Sequence, residues 1–119
     1  MSIEKSVVKK EIQLAASEHK EELEKVSSYI FENPELAFHE EKAQQALCEL
    51  LENNGFQVTR GVGGISTSFE AVYDTGRPGK KIAFMAEYDA LPEIGHGCGH
   101  NIIGTSSAGA GIVLKEMME

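Results

Sequence analysis

Ile82-Ala83-Phe84-Met85-Ala86 is apolar at every position, and no other stretch limits the possible folds as sharply. Side chains of a strand alternate between two faces, so an unbroken apolar run is buried only where both faces are covered. The run from Lys81 to Ala86 therefore predicts a central strand in a sheet flanked by helices. Upstream, Phe56-Gln57-Val58-Thr59 and the segment from Thr67 to Tyr73 alternate as strands, separated by the flexible Gly61-Val62-Gly63-Gly64. Asp74-Thr75-Gly76-Arg77-Pro78-Gly79 is a turn cluster.

Helical periodicity brackets these strands. From Ser2 to about Glu32 the chain has neither Gly nor Pro, and Leu23, Val26 and Ile30 recur at helical spacing, which predicts one long amphipathic helix ended by Asn33-Pro34. A second helix is expected from near Glu40, with Ala43, Ala46, Leu47, Leu50 and Leu51 inward, Cys48 as a small apolar residue, and a stop at Asn53-Asn54-Gly55. A third, rich in small residues, runs from about Ile102 to Met118 and carries no stop signal, so the chain is expected to be truncated in mid-fold. Ser106-Ser107 and Gly109-Ala110-Gly111 lack the surroundings of a nucleophile elbow or a dinucleotide fingerprint and read as helix packing. The order is that of an α/β fold.

Eleven Lys and Arg against nineteen Asp and Glu leave a net charge of −8. That sign repels nucleic acid and anionic membranes, and neither is expected as a partner. No apolar run approaches the ~20 residues that span a bilayer. Met1 to Lys10 lacks the apolar segment of a signal peptide, and Cys48 and Cys98 make no disulfide framework. A cytoplasmic location is the expectation.

The chemistry concentrates directly after the predicted central strand, in Glu87-Tyr88-Asp89-Ala90-Leu91-Pro92-Glu93-Ile94-Gly95-His96-Gly97-Cys98-Gly99-His100-Asn101. Ligand sites in open α/β sheets lie off the carboxyl ends of strands. His96, Cys98 and His100 alternate with glycines, and in an extended backbone such residues project to one side. Thiolate and imidazole together suit zinc or a similar divalent metal, with Glu87 and Asp89 as ligands or as carboxylates that orient them.

These residues resemble the N-terminal part of the dinuclear-metal amidohydrolases and peptidases related to aminoacylase, hippurate hydrolase and carboxypeptidase G. Asn33-Pro34-Glu35-Leu36 is similar to the family's early Pro-Glu-Leu segment, Asp89-Ala90-Leu91-Pro92 to its first active-site strand end, and His96-Gly97-Cys98-Gly99-His100 to its His-x-Cys-Gly-His motif. Glu87-Tyr88 ahead of Asp89, with Asn101 after the motif, resembles the aminobenzoyl-glutamate hydrolase or dipeptidase-like branch. The resemblance implies a partial zinc-exopeptidase-like α/β/α sandwich, residues 1–119 being the N-terminal part of a catalytic domain without its lid and dimerisation domain. It implies Cys98 and His100 as metal ligands and Asp89 as the candidate catalytic carboxylate, in the position that orients a ligand. Glu87 stands where other branches carry a metal-binding His, and His96 lies in the motif without an assigned role. The parent activity would be cleavage of an N-acyl or aminoacyl amide, or a dipeptide, with two divalent ions, Zn or Mn. The family's Glu-Glu pair and remaining ligands lie outside this sequence, so the chain alone is expected to be inactive. Its alternative role is a metal-binding or fragment-complementing module, with a C-terminal fragment as partner.

Overall fold

The computed structural model describes residues 4–119, so Ser2 and Ile3 of the first predicted helix lie outside the described residues. The predicted helix is two helices, α1 (Lys5–Glu18) and α2 (Lys20–Glu32), broken at His19 with φ −98° and ψ 2°. Gly and Pro are absent there, and the break follows from tertiary contacts. The His19 imidazole bonds Glu22 through Nδ1 and Glu116 of the last helix through Nε2 at 2.5 Å. Those carboxylates, Glu22 foremost, raise the His19 pKa against the opposing effect of partial burial.

The raised proton affinity exists only in the fold, so its stabilisation is complete below the unfolded value near 6.5 and disappears as pH rises through the folded value. Thermal melts across that interval should show wild type losing more stability than Glu116→Gln. Equal losses would mean that the contact contributes nothing.

Helix α3 (Glu41–Asn53) follows, and Gly55, with φ +87°, turns the chain into β1 (Gln57–Arg60). A short 3₁₀ turn at Val62–Gly64 leads to β2 (Phe69–Val72), which pairs antiparallel with β1 from Gln57 opposite Val72 to Arg60 opposite Phe69. Helix α4 (His100–Met118) closes the described chain. The fold is α/β: four helices and a two-stranded sheet.

One core holds these elements together. Ile30 of α2, Ala43, Leu47, Leu50 and Leu51 of α3, Tyr88, and Ala108 and Ile112 of α4 form a buried cluster against which Val58, Phe69 and Ala71 of the hairpin pack. Gln44 fastens α3 to the hairpin, its amide donating to the carbonyls of Ser66 at 2.9 Å and Ser68 at 2.7 Å. Ala46, expected in the core, is only half-buried. Helix α1 buries none of its residues, and the radius of gyration, 15.3 Å, exceeds the ~13.5 Å of a compact chain of this length.

The predicted central strand does not form. Residues 80–89 lie in no strand and make no backbone-to-backbone hydrogen bonds among the described residues. Ile82, Phe84 and Met85 are 64%, 47% and 87% exposed. An apolar run becomes a central strand only where strands flank it, and β1 and β2 pair only with each other.

Candidate functional site

The segment after the apolar run is fixed from three directions. The Ala90 amide donates to the Glu35 carbonyl at 2.7 Å. The Glu35 carboxylate in turn accepts the Lys42 and Ala43 amides of the first turn of α3, each at 2.9 Å, where a helix N-terminus favours negative charge. Tyr88 is buried, stacks on Phe69 with ring centroids 5.8 Å apart, and donates its hydroxyl to the Thr67 carbonyl at 2.5 Å. Burial pushes its pKa up. Asp89 is thus held between two anchored neighbours.

The loop closes on itself through reciprocal backbone bonds between Leu91 and Gly95 at 2.9 and 3.1 Å. Gly95 and Gly99 take φ of +73° and +82°, so the alternating motif is a sequence of turns and not an extended run. His96, Cys98 and His100 accordingly do not share one side. His96 is buried with both ring nitrogens lacking a hydrogen-bond partner, and burial, followed by the charge of His100, lowers its pKa. Cys98 is exposed and free. His100 opens α4, with Gly99 at the N-cap position.

Around His100 the predicted residues do meet. Its Nδ1 lies 2.7 Å from Asp89 Oδ1, and its Nε2 lies 3.2 Å from Glu87 Oε2. A carboxylate bonded to one ring nitrogen fixes the tautomer and orientation of the imidazole, the arrangement found behind metal-ligating histidines. Glu87 and His100 thus present an oxygen and a nitrogen side by side. Among the described residues no group of three or more His, Cys, Asp or Glu side chains is gathered to hold a metal ion. The donor chemistry fits part of a divalent-metal site.

Two positioning elements were not legible as such. Glu35 links the loop to α3 through both backbone and side chain, and only its place in the Pro-Glu-Leu segment gave a signal. Asn101 is buried and donates its amide to the Ser27 hydroxyl at 3.2 Å, tying the start of α4 to α2.

No family model matches the chain. Similarity to curated proteins is extensive. The chain is 37% identical over 111 residues to a p-aminobenzoyl-glutamate hydrolase polypeptide of Escherichia coli, a match covering 79% of this chain and 23% of that protein. It is 33% identical over 111 residues to human Xaa-Arg dipeptidase, covering 83% of this chain and 25% of the relative. Hippurate hydrolase of Campylobacter jejuni is 32% identical over 94 residues, or 67% of this chain and 24% of the relative. The chain belongs to this amidohydrolase and peptidase family. It spans about a quarter of the length of these relatives. No helix among the described residues is long and apolar enough to cross a membrane.

Proposed function

We propose that residues 87–100 of this amidohydrolase-family chain form part of a divalent-metal site for hydrolysis of an amide bond. The substrate would be a small N-acyl or aminoacyl amino acid, or a dipeptide, in the cytoplasm. The observation that carries this reading is the bond between Asp89 and His100 Nδ1 at 2.7 Å, which leaves Nε2 facing Glu87.

When bound, zinc or manganese supplies Lewis acidity toward a carbonyl and makes a water more acidic. His100 and Cys98 are the proposed protein donors, the imidazole through Nε2 and the exposed thiol as thiolate. Asp89 is a positioning residue that holds the imidazole in one tautomer. Glu87 offers a carboxylate beside Nε2. The donors in this chain are a partial set, and the chain by itself is proposed to turn over no substrate.

Competitive zinc titration of wild type, Cys98→Ser, His100→Ala and Asp89→Asn tests the assignment. Zinc affinity should fall in all three variants, by roughly 10–100-fold for Asp89→Asn, the range for lost carboxylate support of a ligand. A wild type without zinc affinity, or variants indistinguishable from it, would overturn the reading.

A further inference from the structure

We propose that the segment from Lys80 to Glu87 is a self-pairing strand through which two copies of this chain associate antiparallel, with Phe84 on the two-fold axis. The backbone geometry comes first. A Cβ at Gly104 would lie 2.9 Å from the Glu87 carbonyl oxygen, the Ser107 hydroxyl donates to the Met85 carbonyl at 2.7 Å, and a Cβ at Gly111 would lie 4.0 Å from the Phe84 ring. Between Gly104 and Gly111 the helix rises about 10 Å. The three residue steps from Glu87 to Phe84 cover that rise at about 3.4 Å each, so this stretch is extended.

In an extended chain successive carbonyls point to opposite edges. Those of Met85 and Glu87 face α4, which directs the N–H and C=O groups of Ile82, Phe84 and Ala86 to the other edge. There they meet no backbone partner among the described residues. Ile82, Phe84 and Met85 stand exposed along the same segment. An open edge with apolar side chains is a template for pairing.

Charge complementarity selects the occupant. When two copies pair antiparallel about Phe84, Lys81 of each lies opposite Glu87 of the other, Ala83 opposite Met85, and Ile82 opposite Ala86. Both ends then carry opposite-charge cross-strand pairs, and the centre carries an aromatic pair. The register also makes Phe84 a hydrogen-bonded pair, using the groups that α4 leaves free. The contact is isologous and closes at the dimer.

Sedimentation velocity on the metal-free chain over a broad concentration range should show a monomer–dimer equilibrium. Lys81→Glu and Glu87→Lys, both at exposed positions, should each weaken dimerisation by roughly tenfold, and the Lys81→Glu/Glu87→Lys double exchange should restore it. Phe84→Cys in a Cys98→Ser background should form an interchain disulfide on oxidation, because the two side chains would meet at the axis. A monomer at all concentrations, a dimer indifferent to both single reversals, or a monomer that pairs only with a strand from a different chain would each overturn the proposal.

Discussion

Leu47→Ala is expected to destabilise the fold by about 2–5 kcal/mol, the range for a buried leucine truncated in a close-packed core. Leu47 has no exposed surface and sits in the cluster that joins α2, α3 and α4 through Ile30, Leu50, Leu51 and Ile112. Helix α1 contributes no buried residue, so this single cluster carries most of the fold. Domains of this size are stable by only about 5–15 kcal/mol, and a loss of this size is a large share of that margin. Urea unfolding should show a lower midpoint with an unchanged slope. Leu14→Ala, at a position 66% exposed on α1, should stay within about 0.5 kcal/mol of wild type. If the two variants lose equal stability, the core does not lie where the helices meet.

The helices and the hairpin were legible because their determinants are local. Ala43, Leu47, Leu50 and Leu51 mark the inner face of α3, Gly55 allows the left-handed turn that ends it, and alternation in residues 57–60 and 69–72 marks both strands. The break at His19 was not legible, since it depends on Glu116, ninety-seven positions away. The run from Lys81 to Ala86 misled for a related reason. Its pattern reports what a strand needs on both faces, whereas pairing needs neighbours that β1 and β2 do not supply. At the site, the presence of Glu87, Asp89 and His100 was legible, and Asp89 does meet His100. The turns at Gly95 and Gly99, which separate His96 and Cys98 from a shared side, follow from backbone conformation that spacing alone leaves open.

Gly104→Val is expected to cost about 3 kcal/mol, at the upper end of ordinary overpacking, and to loosen the candidate metal site with it. A Cβ at this position would sit 2.9 Å from the Glu87 carbonyl oxygen and 3.3 Å from both Leu47 Cδ1 and Tyr88 Cβ. The nearest obstacle is backbone, which cannot rotate aside as a side-chain end can, so α4 and the segment at Glu87 must separate. His100 stands at the start of α4 and Asp89 two residues beyond Glu87, and their 2.7 Å bond spans the seam that would open. Zinc affinity should therefore fall together with stability. Gly111→Ala supplies the contrast on the same helix. There a Cβ meets only the Phe56 and Phe84 rings, at 3.8 and 4.0 Å, which is ordinary contact, and alanine exceeds glycine in helix propensity by about 1 kcal/mol. That variant should be at least as stable as wild type and bind zinc equally well. Destabilisation by both variants would mean that glycine serves the helix generally, whereas loss confined to Gly104→Val would place the constraint at the seam that holds Asp89 against His100.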